Sequence, residues 1–456
     1  METLEYSEDN TYQPVSEAYA GRSIFMSGAT GFLGKVFVEK ILYSCPKISK
    51  IYVLVREKKN ISADDRIRKM LELPIFNRLR NERPEDMKKI IPVQGDIAFS
   101  KLGLKPEDEE MLIKTVSMVF HFAATIKFNE PLQTAFTINV KGTKRMLELC
   151  HKMNDIKAFI YVSTAFSNSG VDVIKEVLYP PPVPLEEAEE LEDRTNFTKE
   201  ETDEILKRGQ KPNSYTFTKA IAENIVSKEH GNIPCAIIRP SIVVSSKEEP
   251  IVGWLDNWFG ATGVLFPTAQ GLNRVLLCDY HNNIDLIPVD YVVNVIIVAA
   301  AKCKRSSEIS IYNCCTSCEN PITIGKFVDI STTVSVDRIK SIPLMSKTLM
   351  TQSEWLVSFI TILQKIPAIL SDCILYASGK QTKYVKYQER IVRARDLVMY
   401  FTSRTWQMSA ERTCALFASL SATDQKRFAF DPRSIVWAEF VPSYNEGVRK
   451  FLLKSS

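Results

Sequence analysis

Tyr215 and Lys219, in the segment NSYTFTK (213–219), stand four residues apart, so on a helix they share one face a turn from each other. An ammonium beside a phenol favours the phenolate, which draws the tyrosine pKa down toward neutrality and suits it to give and take a proton at a carbonyl oxygen. Thr164, with Ser163 beside it, closes the apolar run AFIYVSTA (158–165), where a strand should end and a hydroxyl can hold a substrate oxygen in register. By itself Y-x-x-x-K is common and describes an ordinary helical surface pair. Its weight here comes from what precedes it in the chain.

The segment IFMSGATGFLGK (24–35) joins a short apolar strand to a helix through Gly28, Gly31 and Gly34. This G-x-x-G-x-x-G spacing is a relative of the dinucleotide fingerprint, in which glycines permit a tight turn and bring backbone close to a pyrophosphate. Backbone N–H groups and the positive end of the helix then face the phosphates. The amphipathic KVFVEKIL (35–42) supplies that helix. A second strand, IYVLVR (51–56), ends about 20 residues on, where an acidic residue selects NAD and an arginine accepts the 2'-phosphate of NADP. That residue is Arg56, with Glu57 as its neighbour, and a guanidinium fits a phosphate fork to fork, so NADPH is the expected cofactor.

The elements that must position these groups alternate. IFMS, IYVLVR, IIPVQGDI, SMVFHFAA, AFIYVSTA and CAIIRPSIV read as buried strands, and segments around Lys35, Asp65, Glu107, Leu132 and Tyr215 are helical in period. Alternation of this kind implies an α/β protein with a parallel, doubly wound sheet. Residues 168–213 interrupt it with LYPPPVP and the acidic EEAEELEDRTNFTKEETDEIL. The first is a loop and the second an exposed helix or two, serving either as a wall of a substrate cleft or as a solvated surface elaboration.

Composition agrees with a folded globular chain of 456 residues, 45% hydrophobic and 25% charged. A net charge of +4 is too mild to make nucleic acid a partner. The first twenty residues are acidic and polar, read as a flexible arm with neither a secretory signal nor a transit peptide. Ten cysteines lack the spacing of a disulfide framework and read as reduced thiols. The C-x-x-C within CCTSC (314–318) has no second half-site, and with four histidines in the chain no metal is expected.

Near the C-terminus, WLVSFITILQKIPAILSDCILYA (355–377) is apolar but interrupted by Gln364, Lys365, Pro367 and Asp372, so it is not read as membrane-spanning. The basic KQTKYVKYQERIVRAR (380–395) follows. Two readings of 355–395 stand together: an interfacial segment in peripheral membrane contact, or a buried helix pair beside a solvated basic helix. VVNVIIVAAA (292–301) is shorter and reads as a core helix.

In order along the chain, MSGATGFLGKVFVEKIL, IYVLVR, VQGDI, VFHFAATIKF, INVKGT, FIYVSTAFSN, YTFTKAIAE, IIRPSIV, GWLDNWFGATG and DLIPVDYVVN resemble the fatty acyl-CoA reductases, within the extended short-chain dehydrogenase/reductase superfamily. YFTSRTWQMS and FAFDPRSIVWAEFVPSYNEGVRKFLLK are similar to that family's own C-terminal domain. The resemblance implies a Rossmann-like NADP-binding domain with substrate-binding insertions over 21–345 and a smaller, mainly helical C-terminal domain over 346–456. It assigns the pyrophosphate to Gly28, Thr30, Gly31, Phe32, Leu33 and Gly34, and the 2'-phosphate to Arg56. Asp96 and Ile97 would flank the adenine, Ala123 and Ala124 line the cofactor cleft, and Pro240, Ser241 and Ile242 pack by the nicotinamide. Asn139 would hold the active-site helix and a proton relay, while Thr164, Tyr215 and Lys219 carry the chemistry, Lys219 also binding the nicotinamide ribose. Ser27 stands where the family pattern has Thr and Phe166 where it has Tyr, mild exchanges that remove no catalytic group.

The implied reaction is reduction of a long-chain fatty acyl-CoA by NADPH to a primary alcohol and free CoA, through an aldehyde. A reductase that stops at the aldehyde and an inactive lipid-binding relative are the alternatives. Many members of the family end in a hydrophobic anchor beyond the C-terminal domain. None precedes Ser456, so the expected location is the cytosolic face of the endoplasmic reticulum, peroxisome or lipid droplet rather than stable insertion.

Overall fold

A computed structural model describes residues 12–58, 61–336 and 348–454. Its centre is a parallel sheet of seven strands: β1 (Ser23–Ser27), β2 (Lys50–Val55), β3 (Ile90–Gln94), β4 (Val116–His121), β5 (Ala158–Val162), β6 (Cys235–Pro240) and β7 (Ser310–Cys314). Their order is 3-2-1-4-5-6-7, so the chain reverses direction across the sheet between β1 and β4. In open sheets of this kind ligands bind outside the carboxyl ends of the strands at that reversal. Six of the strands coincide with the apolar runs in the sequence. The seventh, SIYNC, does not, because an edge strand with one side covered needs no continuous apolar run.

The helices used below are α1 (Phe32–Ser44), α2 (Ala63–Leu71), α3 (Pro106–Thr115), α4 (Gly142–Lys152), α5 (Leu185–Asp193), α6 (Lys199–Arg208), α7 (Ser214–Glu229), α8 (Val289–Ala301), α9 (Glu354–Ala377) and α10 (Tyr384–Thr402). Side chains alternate across the pleat. From β1, Ile24 and Met26 enter a core shared with α1 and α8, while Phe25 enters the opposite core with α3, α4 and α7. α8 is buried along almost its whole length, as expected for 292–301.

Residues 348–454 share the first of these cores through Phe428, Trp437, Phe440 and Tyr444. Two short parallel strand pairs join the halves: Leu349–Thr351 with Val275–Leu277, and Gln407–Met408 with Val173–Ile174. The boundary expected at 345/346 lies outside the described residues. Of the expected N-terminal arm, residues 1–11 also lie outside them, but 12–20 are docked rather than free. Val15 and Tyr19 are fully buried, Tyr19 donates to the Ile297 carbonyl (2.7 Å), and Asp424 accepts from Tyr12 Oη and Val15 N (2.7 and 2.8 Å).

The 168–213 insertion divides in function. Its first part anchors the C-terminal half, with buried Glu176 accepting from the backbone N–H groups of Asn313 and Thr413. Its acidic helices α5 and α6 bury Ala188, Leu191 and Ile205 against the α4/α7 layer, with Glu192 paired to Lys144 at 3.0 Å and Asp193 to Lys141 at 3.2 Å. All ten cysteines are free thiols, Cys314 and Cys315 buried and Cys318 exposed.

Candidate active site

The glycine loop leaves β1 at Ser27 and enters α1 at Phe32. Gly28 has φ +79, and a Cβ there would stand 2.8 Å from Ala123 N; a Cβ at Gly34 would stand 2.2 Å from the Gly28 carbonyl oxygen. Glycine is therefore required at both positions, the first by conformation and contact, the second by contact alone. Ser27 Oγ shares a 2.7 Å hydrogen bond with His121 Nδ1 and accepts from Ala123 N at 3.2 Å, which fixes the loop against the end of β4 and brings Ala123 beside Gly28, with Ala124 next in the chain. Phe32 stacks on Trp254 (ring centroids 5.4 Å) and Leu33 packs on the core. No side chain caps α1 and its first turn holds no acidic residue, so its positive end is kept for an anion. That cradle fits a dinucleotide pyrophosphate.

Arg56, just beyond β2, is 57% exposed at its side chain and lies 3.9 Å from Asp96, the residue that follows the β3 turn. Buried Ile97 offers its carbonyl to Arg145 (2.8 Å). A second guanidinium, unseen in the sequence reading, joins them. Arg66 on α2 donates through Nη1 to the Arg56 carbonyl (2.5 Å) and through Nη2 to Thr30 Oγ1 of the glycine loop (3.1 Å). Burial, and then the charge of Arg56, hold the Arg66 pKa below its ordinary value. Two guanidiniums held beside each other at the end of the glycine loop suit a dianionic phosphate.

Asn213 caps α7 by accepting from Thr216 N (2.9 Å), which sets Tyr215 and Lys219 on the helix face toward the ends of β5 and β6. Thr164 lies one residue beyond Ser163 at the end of β5, near enough to the Tyr215 phenol for its hydroxyl to exert a lowering effect on the phenol pKa. Thr164 Oγ1 also donates to the Pro240 carbonyl at 3.4 Å and accepts from Phe166 N at 3.3 Å. Lys219 is buried, donates to the Val162 carbonyl (2.7 Å) and lies 4.6 Å above the Tyr161 ring. Asn139, in a π-helical turn over Phe136–Lys141, accepts from Thr125 N (2.9 Å) and donates to Thr125 O (3.2 Å) and to Thr218 Oγ1 on α7 (3.0 Å). Such turns often occur at functional sites, and this one ties the strap after β4 to the helix carrying the tyrosine. Ser163 and Ser241 Oγ are buried with no hydrogen-bond partner among the described residues, and Ile242 follows at the start of a strand (Ile242–Val244) paired with Leu286–Pro288. Two orphan hydroxyls beside Thr164 and Pro240 fit a site that a polar ligand completes.

The protonation balance differs from the sequence expectation. Burial pushes the Tyr215 phenol up to about 12, against the lowering effect of Thr164, and draws Lys219 down to about 7, with Glu223 opposing. Lys219 is spent on the Val162 carbonyl, so desolvation outweighs any attraction between ammonium and phenolate. Tyr215 is held as a phenol, a proton donor. Behind it, Glu223 and Arg239 form a fully buried bidentate pair (2.9 and 2.8 Å), and Glu223 Oε1 also accepts from Ser167 Oγ (3.1 Å) in the turn after Thr164.

An aromatic wall closes the other side. Phe128 stacks on Tyr215 (6.0 Å) and touches Phe401 at the end of α10 (5.4 Å), and Phe401 meets Phe166 (5.1 Å), which in turn meets Trp406 (5.6 Å). The C-terminal half thus supplies part of the surroundings of Tyr215. Nothing in local sequence marks Phe128 or Phe401 for this position; only the fold joins them.

Two sequence-family profiles, both described as male sterility protein, match residues 26–296, as the NAD-binding part, and 363–455. The chain is 36% identical to fatty acyl-CoA reductase 1 of Xenopus laevis and 35% identical to that of Homo sapiens, each over 96% of this chain and 86% of the relative. Fatty acyl-CoA reductase 2 of Mus musculus is 33% identical over the same shares. Among solved structures, the terminal R domain of the myxalamid PKS-NRPS pathway superposes with a TM-score of 0.63 at 19% identity, covering 94% of this chain and 91% of that one. A nonribosomal peptide synthetase R domain from Mycobacterium tuberculosis gives 0.62 at 18%, covering 96% and 95%. At these identities the likeness to the solved structures speaks for the fold alone.

Proposed function

The chain belongs to the fatty acyl-CoA reductase family, and from that premise we propose that it reduces a long-chain fatty acyl-CoA with NADPH to a primary alcohol and free CoA, through an aldehyde. The observation that carries the reading is the meeting of buried Thr164 and Lys219 with the part-exposed Tyr215 at the ends of β5 and β6. Arg56 and Arg66 favour NADPH over NADH, since both would face a 2'-phosphate and neither has a use for a bare ribose hydroxyl. Gly28, Thr30, Gly31, Phe32, Leu33 and Gly34 would hold the pyrophosphate, Asp96 and Ile97 the adenine, and Ala123, Ala124, Pro240, Ser241 and Ile242 the walls around the nicotinamide. When bound, NADPH supplies hydride to the carbonyl carbon.

The protein's own groups do the rest. The Tyr215 phenol and Thr164 hydroxyl donate to the carbonyl oxygen as negative charge grows there, an arrangement that helps only if both are protonated, as burial ensures for Tyr215. A hemithioacetal so formed releases the CoA sulfur with the C–S electron pair as the carbonyl re-forms, giving aldehyde. In the second reduction Tyr215 passes its proton to the alkoxide oxygen, and Lys219, on the same helix face, would bind the nicotinamide ribose and relay the replacement proton. Asn139 holds α7 in register through Thr218. Phe128 and Phe401 give the acyl chain an apolar wall beside the reacting carbon. A long-chain acyl-CoA is a lipid, and we place the reaction at the cytosolic face of the endoplasmic reticulum, peroxisome or lipid droplet.

Purified protein with palmitoyl-CoA and NADPH tests this, with lipid products resolved by gas chromatography and NADPH consumption followed alongside. Alcohol at two NADPH per product is expected. Aldehyde at one-to-one would limit the activity to the first reduction, and no turnover across several chain lengths would refute the reading.

A further inference from the structure

Helix α9 is built inside out. Its 24 residues run unbroken through Gln364, Lys365, Pro367 and Asp372, the positions at which an interruption was expected, and it is long and apolar enough by length and composition to cross a membrane. Gln364, Thr361 and Asp372 face the protein. Gln364 Oε1 accepts from Arg274 N (2.9 Å), Thr361 Oγ1 accepts from Arg395 Nη1 (2.8 Å), and buried Asp372 accepts from the N–H groups of Lys383, Tyr384 and Val385 (2.9, 3.0 and 2.9 Å), capping α10. The outward face is apolar: Trp355, Phe359, Ile362, Ile366, Ile369 and Ile374 are all exposed, Trp355 by 73%, Ile362 by 66% and Ile374 by 68%. A surface helix in water shows the opposite arrangement, and a contiguous apolar stripe of this length marks an interaction surface.

We propose that the outward face of α9 is the protein's docking surface for a lipid membrane, and that the helix lies along the interface rather than across it. Charge decides the partner. Between Trp355 and Tyr376, its two aromatic ends, the stripe is bordered by one half-buried cation, Lys365, and no exposed acid, while Lys380, Lys383, Lys386, Arg390 and Arg393 are exposed on the turn and helix that follow. An apolar face fringed by cations fits anionic headgroups over acyl chains. Connectivity decides the orientation. α9 is pinned at its first half by Val357 against Val275 and Leu277 and by Gln364, and α10 returns along it. A spanning α9 would draw Arg390, Arg393 and Arg395 of α10 into hydrocarbon. The returning helix ends at Phe401, in contact with Phe128 on Tyr215, so the hairpin that meets the membrane also reaches the site where an acyl chain would react. This last step rests on the proposed activity; the docking itself does not.

Vesicle flotation of the full chain, without substrate, separates the two. Wild-type protein is expected to float with phosphatidylcholine vesicles containing phosphatidylserine, more weakly with phosphatidylcholine alone. Ile362→Asp/Ile369→Asp should lower the vesicle affinity at least about tenfold, given the apolar burial two isoleucines lose, while leaving reduction of water-soluble octanoyl-CoA and the melting temperature unchanged. Lys380→Glu/Arg390→Glu should remove the preference for phosphatidylserine. Fluorophores placed through Phe359→Cys and Ile374→Cys should report equal, shallow depth by lipid quenchers. Wild-type protein that stays with the soluble fraction, an aspartate variant that floats normally, or probes in opposite leaflets would overturn the proposal.

Discussion

Removing the Arg66 guanidinium tests the cofactor assignment at the point where sequence and structure differ most. Arg66→Ala deletes one of two cations beside the loop; the other, Arg56, remains 57% exposed. A charge-assisted hydrogen bond contributes ~1.5–3 kcal/mol, and ~1.4 kcal/mol is tenfold, so each guanidinium should change the NADPH KM by about ten- to 150-fold. Water screens Arg56 and places it near the lower bound. Arg66 is half-buried, with a pKa lowered by burial and by Arg56, and belongs near the upper bound. Its loss also frees Thr30 and the Arg56 carbonyl, which would loosen the loop for either cofactor. The ratio of kcat/KM for NADPH to that for NADH removes this common effect and is the quantity to measure. It should fall about tenfold or more in Arg66→Ala, less in Arg56→Ala, and recover partly in Arg66→Lys. A ratio unchanged by Arg66→Ala would refute the reasoning, because a purely structural role affects both cofactors alike.

Tyr215→Phe should cost about 10²–10⁴ in kcat, the usual contribution of a positioned proton donor, with an unchanged melting temperature and a normal NADPH KM. Since burial draws Lys219 down to about 7 in the free enzyme, its charge is present below that pH and lost above it. If the cation is needed, kcat/KM falls as pH rises through about 7, and Glu223→Gln, which removes the charge that opposes the shift, should move that limb to lower pH. The same variant leaves Arg239 buried without its carboxylate and should destabilise the fold by about 3–5 kcal/mol in chemical denaturation, so its pH profile is to be read at low temperature. Gly34→Ala would place a methyl 2.2 Å from the Gly28 carbonyl, and abolished binding of dinucleotide in calorimetry is expected.

What could be read from the chain follows from how far each signal reaches. The glycine loop, Tyr215 and Lys219 are short-range patterns, and the five inner strands, buried on both faces, write themselves as apolar runs. Arg66 lies ten residues past Arg56 on another element, and only the packing of α2 brings it to Thr30. The tyrosine pKa was misjudged in sign because adjacency on a helix is legible and desolvation is not. Gln364 and Asp372 looked like breaks in an apolar segment. Eight residues apart, they share a helix face, and had that face been taken as the inner one, the exposed stripe would have followed.

The C-terminal segment, residues 348–454, is better regarded as part of the candidate site than as an appendage to the parallel-sheet domain. Its Phe428, Trp437 and Tyr444 complete the core on one side of the sheet, so the remaining chain could not close that core alone. Its strand 407–408 pairs with 173–174, and Asn313 on the edge strand β7 donates to the Ser409 carbonyl (2.8 Å), which holds Trp406 where its Nε1 donates to the Ser169 carbonyl (3.2 Å). Ser169 ends the turn that begins at Thr164, and Glu223 anchors the same turn from α7. The Thr164 hydroxyl is therefore fixed from two directions, one of them belonging to the segment that carries α9 and α10. An acyl chain lying against Phe401 would press on the element that aligns Thr164 with Tyr215, so apolar contact far from the thioester can contribute to orientation at the reacting carbon.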